Sequence, residues 1–257
     1  MEVISSSPLL STSNSRGKVK NQYFGDVNDY RKYGLLRCFI ESGFRLGVCW
    51  MLTPDVPNGD GQKTGYLAKP AAWRRFDPLL FDFLAARVTS DNRSVGEIEQ
   101  SDLMAGTRYF SEVLRDDAEA RSVYIGSTLH ELSPADLIFF DPDNGFEVKS
   151  TPYGSRGSSK YLFWREVDQA WSCGASLLIF QHFNREPREA LKSRLAGELS
   201  RRTGNGLVVP IQSAHVLFVF CGQAGHAVRF ETAARVIHER WPLQLVLPAG
   251  AKPAGCA

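Results

Sequence analysis

Cysteine is sparse and unpaired in this sequence. The five residues, Cys38, Cys49, Cys173, Cys221 and Cys256, are scattered and odd in number, with no Cys-x-x-Cys spacing. That excludes a zinc clamp or dithiol couple of the common spacing and fits a reducing, cytoplasmic compartment. Long apolar runs are missing too: no stretch approaches the roughly 20 apolar residues that a membrane-spanning helix needs, so no membrane partner is expected. Net charge is almost absent, 30 basic residues against 28 acidic ones leaving a formal +2. Bulk electrostatics therefore demands neither a nucleic acid nor a membrane, and any basic face has to be local. Internal repeats and low-complexity linkers are likewise absent.

What is present is an ordinary globular composition. With 43% hydrophobic residues over 257 positions, the chain can bury a substantial core as one large α/β domain, or as one domain with an insertion. The first 20 residues are Ser-rich, with Glu2 early, Arg16, Lys18 and Lys20 late, and an apolar run no longer than Pro8-Leu9-Leu10. They read as a disordered leader rather than a secretory signal. The segment 248–257 reads as an unstructured tail, which leaves 21–247 as the expected domain.

Residues Asp29 to Ser42 place Tyr33, Leu36 and Ile40 on one helical face, with Gly43 as a stop, and predict a short amphipathic helix. The apolar run Arg45 to Leu52 predicts a buried strand feeding the loop TPDVPNGDGQKTG. From about 66 to 120 the pattern is mainly helical, with Asp77-Pro78 opening a helix whose Leu80, Phe83 and Leu84 face inward. Strands are then expected at Arg121 to Ile125, Asp136 to Asp141, Ala175 to Gln181, Leu207 to Gln212 and His215 to Cys221. Alternation with helices predicts a three-layer, Rossmann-like α/β fold with a mostly parallel sheet and a helical insertion over 66–120. The runs LIFF, SLLIF and HVLFVF suit parallel strands covered on both faces, whose carboxyl ends then carry the ligand site.

Three polar clusters fall at such positions. In DLIFFDPDNGFE, Asp136 to Glu147, the apolar strand stops at Asp141, and Pro142, Asp143, Asn144 and Gly145 form a turn. Two acids and an amide are thereby presented at a strand end, although such residues also cap backbone amides for purely structural reasons. In GDVNDYRKYGLLR, Asp26 and Asp29 precede Arg31, Lys32 and Arg37; Asp29 and Lys32 stand one helical turn apart and can point together into a cleft, while the charge order also suits a helix dipole. In LLIFQHFNR, Gln181, His182, Asn184 and Arg185 follow a strand, and a neutral imidazole at His182 can orient a substrate or act as a base near pH 7. The loop NGDGQKTG, with Gly59, Asp60 and Gly61, is pliant enough to approach a cofactor but matches neither a P-loop nor GxGxxG. Ser158 and Ser159 are read as cap residues of a following amphipathic helix.

Together GDVNDYRKYGLLR, RLGVCWML with NGDG, ADLIFFDPDNGFE, SSKYL and SLLIFQHFNR resemble a family of bacterial and phage proteins over residues 23 to 245. That resemblance bears on domain and motif positions and carries no activity of its own. More distantly, the chain is similar to class I S-adenosylmethionine-dependent methyltransferases, in particular the ribosomal RNA adenine-N6 enzymes. Those place a Gly-Asn-x-x-Asp-x-x-Lys helix before the first strand, which GDVNDYRK resembles, and an Asp-Pro-Pro-Tyr-type motif that holds the target amine, which DPDN resembles. The resemblance implies that Asp141 orients the acceptor amine; on the methyltransferase reading Asn144 positions the acceptor with it, Lys32 and His182 join them as catalytic candidates, and Asp29, Gly59, Asp60 and Gly61 are the candidates to hold the cofactor. Two departures stand out: TPDVPNGDG replaces the Asp-x-x-x-Gly-x-Gly turn, and Asn144 replaces the aromatic that would stack on a flipped base.

Two other chemistries compete. Asp141 and Asp143, with Glu147 or Asp29, could bind Mg²⁺ or Mn²⁺ for nuclease action or for phosphoryl or glycosyl transfer. Alternatively, a Rossmann-like domain without catalysis could bind nucleic acid or protein through basic clusters at Trp73-Arg74-Arg75, Arg185 to Arg194 and Arg201-Arg202.

Overall fold

The computed structural model describes residues 23–54, 63–204 and 206–249. Its first helix, α1 (Val27–Glu41), is capped by Asp26, whose carboxylate accepts from the Asn28 and Asp29 amides at 2.7 and 2.9 Å, satisfying two amides of the first turn. The sequence predicts an amphipathic helix here, yet α1 is buried nearly all round, with Asp29, Tyr30, Arg31, Lys32 and Tyr33 buried in succession. Its charged side chains are held by partners inside the protein instead of by water. Gly34 permits this depth, because a Cβ there would overlap the Trp241 indole.

The chain continues through β1 (Leu46–Cys49), α2 (Pro70–Trp73), α3 (Pro78–Thr89), α4 (Val95–Glu99) and β2 (Arg108–Phe110). Helix α3 starts where the sequence predicts, Asp77 accepting from the Leu80 amide at 3.2 Å; Leu80 and Leu84 are buried, but the third buried residue is Phe81, not Phe83. The helices expected as an insertion form the crossover from β1 to β2. Strand β2 escapes sequence reading because its three residues are exposed or half-buried and make no apolar run.

Next come α5 (Ala118–Glu131), β3 (Leu137–Phe140), β4 (Gly145–Phe146), β5 (Tyr161–Leu162), α6 (Trp164–Ser172), β6 (Ser176–His182), α7 (Arg188–Arg202), β7 (Leu207–Gln212), β8 (Val216–Gly222) and α8 (Ala227–Arg240). The strand expected at Arg121 to Ile125 is part of α5. Arg121, Tyr124, Ile125 and Thr128 are buried while Ser122 and Val123 are exposed, a helical period that the buried arginine disguises in the sequence. Arg121 is accommodated by Glu166, Nε to Oε1 at 2.5 Å, and by the Ser158 carbonyl at 2.8 Å. Ser158 and Ser159 lie in a short 3₁₀ turn and do not cap α6; Glu166 accepts from the Phe163 amide there instead, at 2.8 Å.

The central sheet has six strands in the order β2-β1-β3-β6-β8-β7, and a separate pair joins β4 to β5. Strands β2, β1, β3 and β6 run parallel, whereas β8 is antiparallel to both β6 and β7. HVLFVF is therefore buried as expected but runs opposite to the expected direction, because the short β7–β8 connection closes a hairpin. The strands alternate between two cores. Val48, Leu137, Phe139, Leu178 and Phe218 pack with α1, α3 and α8; Cys49, Ile138, Phe140, Leu177 and Leu217 pack with α5, α6 and α7. This is a three-layer Rossmann-like α/β fold. The chain passes from β1 to β2 on one side, then returns to β3 on the other, so the crevice at the carboxyl ends of β1 and β3 is the topological switch point at which open α/β sheets bind ligands.

Candidate functional site

A cavity of about 470 Å³ occupies that crevice. Asp141 enters it from β3: its amide donates to the Cys49 carbonyl at 3.0 Å, so the chain leaves the sheet alongside β1 just as the apolar run ends. From α1, Lys32 reaches Asp141 Oδ2 at 2.7 Å and Asp29 Oδ1 at 2.7 Å. Asp29 Oδ2 accepts from the Gly25 amide at 3.2 Å and the Tyr33 hydroxyl at 3.3 Å. Among the described residues Asp141 Oδ1 accepts no hydrogen bond, and Asp141 lines the cavity. The Lys32 ammonium also lies 5.5 Å from the ring centroids of Tyr33 and Trp50 and 5.8 Å from that of Phe180, an aromatic surround that favours a cation.

The loop after Asp141 is fixed from β6. Gln181 accepts from the Phe146 amide at 2.9 Å and donates to the carbonyls of Asn144 and His182 at 3.0 and 2.6 Å. Gly145, at φ 112°, runs so close to that carboxamide that a Cβ would overlap it. Asp143 accepts from the Thr53 hydroxyl at 3.1 Å, linking the loop to the segment after β1. The Asn144 side chain makes no hydrogen bond among the described residues and lines the cavity with His182, whose ring sits on the rim beside Phe180.

Burial raises Asp141 to about 6, against the pull of Lys32. Burial, reinforced by Asp29, raises Asp26 to about 6 as well. Lys32 is held above the ordinary lysine value: burial opposes its charge, but Asp141 and Asp29 outweigh that. His182 falls below its ordinary value through desolvation, with Lys32 and Lys63 adding to the effect and Asp143 opposing it. At neutral pH the site therefore holds a charged Lys32 beside an ionised Asp141, with a neutral imidazole at its edge.

Asp29, Lys32, Asp141, Asn144 and His182, encoded in three separate segments, thus line one cavity. Gly59, Asp60 and Gly61 lie outside the described residues. Asn184 and Arg185 do not line the cavity; Asn184 accepts from the Glu186 amide at 2.9 Å. Sequence reading did not place Asp26, Trp50, Thr53, Lys63 or Lys160 in the cavity wall; for Trp50 and Thr53 the available signal is their place at the end of the β1 run. Comparison of the chain with protein-family models, curated proteins and solved structures finds no match.

The carboxylates expected to hold a divalent cation share the cavity, Glu147 excepted, but among the described residues they form no metal-ligating cluster. Glu147 caps α6 by accepting from the Trp164 amide at 2.7 Å, Lys32 takes up Asp29 and Asp141, and among the described residues no three His, Cys, Asp or Glu side chains are placed to hold a metal ion. The basic clusters are largely paired: Arg74 with Asp82 at 2.7 Å, Arg194 with Glu186 at 2.8 Å, Arg201 with Glu198 at 2.6 Å and Arg202 with Asp168 at 2.6 Å. No helix among the described residues is long and apolar enough to cross a membrane.

Proposed function

We propose that the protein is a methyltransferase-like enzyme that positions the amine of a nucleobase, or another amine, against Asp141. The observation that carries this reading is the Asp141 carboxylate itself, emerging from β3 at the switch point with Oδ2 held by Lys32 and Oδ1 left for a ligand. A carboxylate fixed in that way accepts an N–H of an amine and turns its lone pair outward. Lys32 favours the ionised form of Asp141 against burial, so that above about pH 6 it accepts rather than donates, and Asn144 supplies a second polar group two residues beyond Pro142.

The cavity also suits S-adenosylmethionine. Its volume of about 470 Å³ falls within the range of small-molecule and cofactor sites, and its four aspartates, Asp26, Asp29, Asp141 and Asp143, against three lysines, Lys32, Lys63 and Lys160, leave one acidic group in excess to face a sulfonium cation. When bound, that cofactor supplies an electrophilic methyl group. The residues of this chain then contribute positioning, exclusion of water and acceptance of the amine proton at Asp141, which is what an in-line displacement requires. The antiparallel strand β8 between β6 and β7 supports the same reading at the level of fold analogy.

Calorimetric titration with S-adenosylmethionine is the direct test. Saturable binding, together with transfer of a labelled methyl group to amine or polynucleotide acceptors, is the expected result. Asp141→Asn should retain cofactor binding and lower transfer by roughly 10²-fold, the loss typical of one proton-accepting group. An absence of binding at millimolar ligand sinks the reading.

A further inference from the structure

A second cavity, of about 310 Å³, shares Lys63 with the first. Its polar wall is Arg31, Lys63, Lys69 and His215, and its apolar side is formed by Tyr66 and Trp73. Arg31 is the unusual member, since it is only 4% exposed yet has no carboxylate partner among the described residues. Its Nε and Nη2 donate to Gln244 Oε1 at 3.1 and 2.7 Å, while Nη1 has no more than a 3.5 Å approach to Asn28 Oδ1. Arg121, the other buried arginine among the described residues, is neutralised by Glu166 at 2.5 Å, and the half-buried Arg37 by Asp77 at 2.6 Å. Asp26 favours its charge from beyond ion-pair distance, and a buried guanidinium with no carboxylate in contact is costly unless an anion completes it. The Lys63 and Lys69 ammoniums likewise have no acidic partner among the described residues. Arg31 lies 5.3 Å from the Trp73 ring centroid, so a positive wall and an aromatic wall meet in one recess.

We propose that this second cavity binds the phosphoryl group of a nucleotide, held by Arg31, Lys63 and Lys69, with the attached ring system against Trp73. A planar, multiply donating guanidinium suits phosphate geometry. The phosphoryl group can belong to a free mononucleotide or to a polynucleotide strand. The connection to an acceptor amine in the first cavity rests on the proposed function; the phosphoryl site does not.

The test is calorimetric titration of the full chain with adenosine 5′-monophosphate, adenosine, inorganic phosphate and a short single-stranded oligonucleotide. Binding of the mononucleotide or the strand, with adenosine and inorganic phosphate at least tenfold weaker, roughly the effect of one charge-assisted contact, is the expected result. Tighter binding of the strand assigns the site to a phosphodiester, and tighter binding of the mononucleotide assigns it to a monoester. Lys69→Glu should weaken binding by roughly tenfold or more. So should Gly65→Leu, which fills space without removing charge, because nothing lies within 4 Å of a Cβ at Gly65. Equal binding of adenosine and its monophosphate, wild-type affinity in both variants, or no binding of either nucleotide probe overturns the proposal. Binding of S-adenosylmethionine by Lys69→Glu separates the two cavities. If that cofactor fails to bind while Lys69-dependent nucleotide binding persists, the methyl-transfer reading falls and the phosphoryl site stands.

Discussion

Lys32 Nζ stands 2.7 Å from Asp141 Oδ2 across 109 residues of sequence, and it spans the same 2.7 Å to Asp29. One buried ammonium thus serves two carboxylates whose side chains are 6% and 15% exposed. The pair ties α1 to the end of β3, and it sets the charge of the cavity that both elements line.

Removing the cation leaves both acids uncompensated. Lys32→Met should therefore destabilise the fold by roughly 3–5 kcal/mol at pH 8, the usual effect of breaking a buried pair from one side. Because protonation relieves the stranded carboxylates, the loss should shrink at pH 5. Urea denaturation at the two pH values checks this, and equal stability of variant and wild type at pH 8 would show that the pair contributes nothing to folding.

Asp26 makes the opposite prediction. Its folded value of about 6 lies above the unfolded carboxylate value near 4, so the native state binds the proton more tightly. The stabilisation from that proton is full below pH ~4 and is lost as pH rises through about 6. Asp26→Asn keeps a side chain able to cap α1 and removes the ionisation. The variant should be more stable than wild type at pH 8 by on the order of 1–3 kcal/mol, with no advantage at pH 4. A loss of stability at pH 8 would mean that the charge itself is needed by the cap.

For the proposed transfer, Asp141 has to be ionised to accept an N–H. Activity should climb as pH rises through about 6 and level off above it. Asp141→Asn should retain any residual rate without that rise. A pH profile that is flat in both proteins, or rising in both, would assign the proton acceptor elsewhere.

The position of the site was legible because LIFF ends against Asp-Pro-Asp-Asn-Gly, and an apolar strand that stops at turn formers marks its own carboxyl end. What lay beyond local reading were partners distant in sequence. The burial of α1 depends on Asp141 and Gln244, and Arg121 enters the core because Glu166 meets it, so in both places charge in the sequence suggested a surface that does not exist. The direction of β8 depends on the hairpin with β7 rather than on its composition, since buried strands of either direction read as HVLFVF does.

Gly145 and Gln181 offer a coupled test of how the loop after Asp141 is held. Gly145 is at φ 112°, and a Cβ there meets the Gln181 carboxamide, so Gly145→Ala should cost roughly 1–3 kcal/mol from strain and overlap. Gln181→Ala removes the acceptor of the Phe146 amide and the donor to Asn144 and His182, which should also cost roughly 1–3 kcal/mol. In the double variant the overlap is gone, because the side chain that the new methyl would strike is absent. The double variant should therefore lose less stability than the sum of the two single losses, by more than about 0.5 kcal/mol. Strict additivity in denaturant melts would mean that backbone strain at Gly145, and not its fit against Gln181, requires glycine before Phe146.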